Sequence, residues 1–183
     1  MTVNNTDTRN EICWYVMRAY KNEAKAEKAL SGEYGLPFFI PKHYIVQLTR
    51  GKKVRRLVPA IPSILFVHAS RMQLNEFKQR YPFVHYAMWK MSTGLEYMKV
   101  PEYEMNNFIK IATQTEEHPM YLQPDDVNLK SGTRIRVLGG AFDGTEGYFV
   151  KVRGKRSRRL VVKLDGVMAV SVEVSPDLIE VVK

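Results

Sequence analysis

The chain has 183 residues, with 28 Lys plus Arg against 19 Asp plus Glu, a net charge of +9 and a pI near 9.6. Its 45% apolar content is enough for a packed core, which excludes a disordered chain, and its length allows one medium domain or two small ones. The single Cys13 excludes an internal disulfide and a cysteine-rich zinc site, the polar residues 1–11 lack a signal-peptide core, and apolar runs such as 64–67 and 167–170 are far too short to cross a bilayer. These features describe a cytoplasmic protein, and its basic balance favours a polyanionic partner over a neutral one.

In chain order, residues 14–20 are aromatic-rich and predict a strand. Asn22 is placed to cap a helix running to about Leu30, with Ser31-Gly32 as its stop. Residues 38–48 and 54–58 read as two strands joined by a charged tip, Arg50-Gly51-Lys52-Lys53. Residues 61–67 form a further apolar strand. Ser70 with Gln73 makes a capping box, which predicts a helix over 71–80. Residues 84–90 read as another strand. Pro101 suits the first position of a third helix with Glu102 and Glu104 in its first turn, and Met105, Phe108, Ile109 and Ala112 would share its apolar face.

The pattern changes after this helix. Residues 1–111 hold 17 basic and 9 acidic residues, and residues 130–183 hold 11 and 6. Between them, residues 112–129 contain no Lys or Arg, four acids and two prolines, Pro119 and Pro124. An acidic, proline-bearing stretch between two basic halves reads as a joint. Beyond it, Ile135 and Val137 alternate with Arg134 and Arg136, and residues 148–152, 160–164 and 167–174 are β-branched and apolar. Turns at Gly139-Gly140, Asp143-Gly144, Arg153-Gly154-Lys155 and Asp165-Gly166 separate these runs. About five short strands in so short a stretch predict a small barrel, because closure removes free edges.

Anchors for catalysis are absent. His43, His68, His85 and His118 show no metal-ligand spacing, and no phosphate-binding glycine loop or serine elbow occurs. Cys13 beside Trp14 reads as a small core or edge residue rather than a catalytic thiol. The sequence therefore predicts no enzyme, no metal and no cofactor.

The segment from Ser131 to Phe149 contains Gly132, the alternating strand Thr133-Arg134-Ile135-Arg136-Val137, then Gly140-Ala141-Phe142-Asp143-Gly144 and Gly147. It resembles the KOW motif, with Ala141 where the family often has proline. Glycines permit the tight connection, and Phe142 would plug the barrel end. Upstream, Trp14-Tyr15-Val16, then Pro62-Ser63-Ile64-Leu65-Phe66-Val67, then Tyr81-Pro82-Phe83-Val84 and Val100-Pro101 follow the order of the NusG amino-terminal (NGN) domain. Ser63 and Ile64 depart from that family's usual Gly-Tyr. The chain thus resembles NusG-like elongation and antitermination factors along nearly its whole length, and the departures favour a specialised paralogue of the UpxY/RfaH kind.

The resemblance implies an α+β fold. An NGN-type antiparallel sheet flanked by helices would cover 10–112, a linker 113–128, and a small all-β SH3-like KOW barrel 129–183. It implies a factor that binds RNA polymerase and reduces pausing or termination on particular operons, such as those for polysaccharide biosynthesis. The implied polymerase patch is Ile61, Pro62, Ile64, Phe66, Tyr81, Phe83 and Tyr86. Strand alternation leaves Ile64 and Phe66 equally open to core and surface. Nucleic-acid candidates are Arg18, Lys21 and Lys25, with Arg50, Lys52, Lys53, Arg55 and Arg56 on the charged hairpin; the implied targets are non-template DNA and nascent RNA. Tyr15 and Tyr20 are further stacking candidates, with core packing the better reading for Tyr15. The basic loop Arg153, Lys155, Arg156, Arg158 and Arg159 would meet RNA or an acidic partner, with a ribosomal protein or Rho as the barrel's partner. The factor would act as a monomer and without a membrane. The alternative is a KOW-type RNA-binding ribosomal or ribosome-assembly protein.

Overall fold

Tyr15 and Met17 alternate with Trp14 and Val16, and all four are buried. A strand apolar on both sides must lie inside a sheet that is covered on both faces. A computed structural model, describing residues 10–114, 118–123 and 132–182, places this strand, β1 (Cys13–Arg18), at the centre of the first sheet. Its antiparallel neighbour on one side is β5 (Ile64–Ala69), which carries β2 (Phe38–Phe39) on its far edge. On the other side, β6 (His85–Tyr86) pairs with Met17 and Arg18, and β9 (Lys99–Val100) pairs with Trp14 and Tyr15. Two separate hairpins complete the strands of this unit: β3 (Lys42–Thr49) with β4 (Lys52–Pro59), and β7 (Met88–Met91) with β8 (Gly94–Tyr97).

The chain divides into two compact units, one ending at Pro101 and one starting at Glu102. In the first, Tyr15, Met17, Leu65 and Val67 project to one face of the sheet and pack with Leu30, Leu74 and Phe77. Leu30 follows α1 (Glu23–Lys28), and the other two come from α2 (Arg71–Arg80). The α2 bounds match the capping-box expectation. Ser70 Oγ accepts from the Gln73 amide at 3.3 Å, and the Ser70 amide donates to Gln73 Oε1 at 2.9 Å.

The first helix differs from the expectation at both ends. Asn22 does not cap it with its side chain; Asn22 Nδ2 donates to the Tyr20 carbonyl instead. Ser31-Gly32 does not stop it either. Ser31 Oγ bonds back to the Glu27 carbonyl, and the chain continues as a π-helical turn, Ala29–Tyr34. Tyr34 stands edge-on to Phe77 at 5.0 Å, which holds the wider turn against the core. Termination falls to Gly35, in the left-handed conformation that glycine adopts without strain.

The predicted strand over 61–67 starts late, because Pro62 has no amide to donate and Ser63 turns the chain at φ +71. The predicted strand over 84–90 is broken at Ala87: the two residues before it pair with β1, and those after it enter the β7–β8 hairpin.

In the second unit, α3 (Glu102–Ala112) packs against β13 (Arg158–Leu164) and β14 (Met168–Val172). Its buried face is Met105, Phe108, Ile111 and Ala112, with Ile109 only half-buried. The sheet runs β10 (Met120–Leu122), β14, β13, β12 (Glu146–Lys151), β11 (Thr133–Val137), β15 (Ile179–Val181), all antiparallel. The alternation read at Ile135 and Val137 is present, with both buried and Arg134 and Arg136 exposed. Among the described residues no ladder joins β10 to β15, so the hydrogen-bonded path is open. Part of the stretch read as a linker is thus a strand, and the helix placed before that linker lies in the unit after Pro101.

Candidate functional site

The seven apolar residues proposed as one patch fall on two faces of the first sheet. Leu65 and Val67 point into the core with α2, so Ile64 and Phe66 point to the opposite face. Both are buried, at 4% and 0% exposure. Trp14 lies on that same face, stacked at 4.9 Å on His68. Ahead of Ile64, Pro62 is exposed and Ile61 half-buried at the Ser63 turn.

Tyr81, Phe83 and Tyr86 belong to the α2 side. Tyr81 packs on Phe77, Tyr34 and Phe83 with centroids 5.0, 6.3 and 5.9 Å apart. Its hydroxyl donates to Glu33 Oε2 at 2.5 Å, and this bond to a carboxylate raises the phenol above its usual range. Burial pushes the Tyr86 phenol up to about 12. Its ring meets Tyr97 at 4.5 Å and Tyr15 at 5.7 Å.

Arg18, Lys21 and Lys25 are exposed. Tyr20, 57% exposed, lies 6.0 Å from the exposed ring of His85, which pairs with Arg18 across the sheet. His85 was absent from the sequence candidates; its proximity depends on the β1–β6 register, which no local pattern announces.

The charged hairpin is a ribbon of eight cross-strand pairs whose tip is the two-residue turn Arg50-Gly51. Both tip residues have positive φ, +50 and +75, as such a turn requires. Arg50, Lys52, Lys53, Arg55 and Arg56 are all exposed. Arg55 lies 3.8 Å from the Tyr44 ring centroid, and Arg56 Nη1 donates to Gln47 Oε1 at 3.1 Å. At the base, Lys42 Nζ meets both carboxylate oxygens of Glu27 at 2.7 and 2.8 Å, which ties the ribbon to α1.

In the second unit, Arg153, Lys155, Arg156 and Arg158 are exposed, whereas Arg159 is not part of a loop surface. Its side chain is 6% exposed within β13, donating to Ser171 Oγ at 3.2 Å and reaching Glu173 at 3.3 Å. Burial lowers its pKa, and Glu173 opposes that shift. Among the described residues, no cluster of three His, Cys, Asp or Glu could hold a metal, and no helix is long and apolar enough to cross a membrane.

A family model described as transcription termination factor NusG matches residues 12–128, well over half of the chain. The chain belongs to the NusG family. Members of this family are transcription elongation and antitermination factors that generally bind RNA polymerase, and they are not enzymes. No curated protein matches the chain. A solved structure titled "Domain interaction in Thermotoga maritima NusG" is similar at 18% identity, covering 94% of this chain and 98% of that one with a TM-score of 0.44.

Proposed function

We propose that this NusG-family protein binds RNA polymerase and reduces pausing or termination on particular operons, such as polysaccharide clusters, as a specialised paralogue of the UpxY/RfaH kind. The single observation behind the elongation-factor part is the family match over 12–128. The apolar contact centres on the Ile61-Pro62 turn; Ile64 and Phe66, which follow it, are buried in β5 and lie outside the contact. Tyr81, Phe83 and Tyr86 stay with the core and are left out of this contact. Arg18, Lys21, Lys25 and the ribbon cations face nucleic acid, and the Tyr20–His85 pair offers an aromatic surface for an unpaired base. The segment resembling KOW would recruit a second partner through Arg153, Lys155, Arg156 and Arg158. Protein interfaces draw their energy from a few anchors in a desolvated centre, so one residue at the turn should matter more than many around it.

The test is a pull-down with core RNA polymerase, followed by elongation on a template carrying a terminator. Binding and increased read-through are expected, both weakened by Pro62→Asp. If the intact protein neither binds polymerase nor changes pausing or read-through, the proposal is lost. Co-sedimentation with ribosomes at high salt would support the ribosomal alternative instead.

A further inference from the structure

The β3–β4 ribbon carries more exposed, patterned surface than the nucleic-acid role so far requires. It has eight paired positions, about 25 Å of length at the usual rise. Among the described residues it has no third strand. Residues 42–59 include six Lys or Arg and no Asp or Glu. An acid-free, two-stranded surface of this kind complements a polyanion.

Residues paired across the ribbon share a face, so the register sorts the side chains into two sets. One face carries Tyr44, Val46, Leu48 and Leu57, between 48% and 69% exposed, together with the exposed Lys53 and Arg55. The other presents Gln47, Thr49, Lys52 and Arg56 interleaved with Ile45 and Val54, which are 37% and 41% exposed. On that face Arg56 and Gln47 already hold each other across the strands at 3.1 Å. That contact limits the rotamers of two long side chains before any ligand arrives and lowers the entropy lost on binding.

We infer that the ribbon seats in the major groove of duplex DNA with the Gln47–Arg56 face toward the base edges. The B-form major groove is about 12 Å wide and admits a two-stranded ribbon. Its floor displays the guanine O6 and N7 acceptors, which suit an arginine fork, and the adenine N6 and N7 groups, which suit a glutamine amide. Arg50 at the tip and Lys53 beside it, on the face turned away from the base edges, would reach backbone phosphates with their long side chains and add affinity without reading sequence. The groove of A-form RNA is too deep and narrow for side chains to read, and a single strand has no groove, so duplex DNA is the ligand this geometry selects. The inference deepens the nucleic-acid part of the proposed function and rests on it.

The experiment uses the full chain to enrich a sequence from a pool of random DNA duplexes, then probes the enriched duplex by guanine-N7 methylation interference. N7 methylation at one or more guanines should deplete the bound fraction about fivefold or more, the lower end for a bidentate arginine–guanine contact. Arg56→Ala should abolish that interference. Lys53→Ala should weaken binding to all duplexes alike while leaving the interference pattern intact. Both positions are exposed on the ribbon, and an unchanged circular dichroism spectrum would confirm folding. Three results overturn the inference: no enrichment of duplex over single strands or RNA duplex, binding indifferent to N7 methylation, or interference confined to adenine N3 in the minor groove. If polymerase binding and read-through hold while any of these is seen, only the groove inference falls and the elongation reading stands.

Discussion

Glu23 Oε1 accepts the backbone amide of Ser63 at 2.5 Å, and Ser63 sits at φ +71. The side chain that opens α1 thereby holds a turn on another part of the chain. The same turn is fixed a second time, because the Ser63 carbonyl accepts from the Ala19 amide at 2.9 Å. A non-glycine residue in the left-handed region costs about 1–2 kcal/mol, and a hydrogen bond to a charged group contributes about 1.5–3 kcal/mol. Glu23→Ala should therefore lower stability by about 2 kcal/mol in urea unfolding, and Glu23→Gln, which keeps an acceptor oxygen, by clearly less. Ser63→Gly should raise stability by up to about 1 kcal/mol, strain relief being partly offset by the freer unfolded chain. A destabilised Ser63→Gly would show that the hydroxyl contributes more than the backbone costs.

Gly147 is confined by space, not by conformation. A Cβ at this position would lie 2.5 Å from the Val161 carbonyl oxygen and 2.8 Å from Leu160 Cδ1. The leucine tip can move; the carbonyl belongs to the β12–β13 ladder and can move only with it. Overpacking of this kind costs about 1–3 kcal/mol, and Gly147→Ala should fall at the upper end. Thermal melts of the two proteins provide the check, and equal melting temperatures would mean that the ladder shifts at no cost.

Signals contained within a few residues were legible in the sequence. The Ser70–Gln73 capping box set the start of α2, and the Arg50–Lys53 tip marked the ribbon turn, which the structure narrows to Arg50-Gly51, because both act through neighbouring backbone. The mixed α+β architecture with antiparallel sheets followed from such pieces. What depended on distant partners was not legible. The π-helical turn needs Tyr34 against Phe77, and Arg159 looks like any other cation in its run until β14 places Ser171 beside it. The short strands β8 and β9 carry too little apolar alternation to stand out, and β10 lies in a stretch whose acids and prolines suggest a joint. For the candidate site, the basic ribbon could be seen from charge alone, but the apolar patch could not. Phe66 and Tyr86 look equivalent as sequence, and only the strand register shows that they serve opposite faces.

The ribbon and the Arg18–Lys21–Lys25 set can be separated by salt. Each phosphate neutralised contributes about 0.9 to the slope of log affinity against log salt on duplex DNA and about 0.7 on a single strand. Replacing both Arg50 and Lys53 with alanine should reduce the duplex slope by up to about 2 and leave the single-strand slope nearly unchanged. Replacing Arg18 and Lys21 should do the reverse. Fluorescence anisotropy over a range of salt concentrations measures both. Unchanged slopes in the ribbon variant would mean that its cations only solvate the hairpin.

Acid should loosen the second unit through Glu146. Its carboxylate accepts from Arg136 Nη2 at 2.6 Å and from Arg134 Nη2 at 3.1 Å, and the Arg136 bond leads the effects that hold its pKa below the usual carboxylate range. Burial opposes this shift without reversing it. A carboxylate with a depressed folded pKa contributes stability that is present above its unfolded value, about 4.3, and lost as pH falls through the folded value. The wild type should therefore lose stability below about pH 4.3 more steeply than Glu146→Gln, whose side chain does not titrate. At neutral pH the order is reversed in magnitude: the variant is already weaker, because two arginines have lost their shared anion. Raising the salt concentration should narrow the gap, since the cluster is partly open to solvent and screened. Urea midpoints measured from pH 7 down to about pH 3 for both proteins test this. Parallel profiles would place the acid sensitivity on other carboxylates.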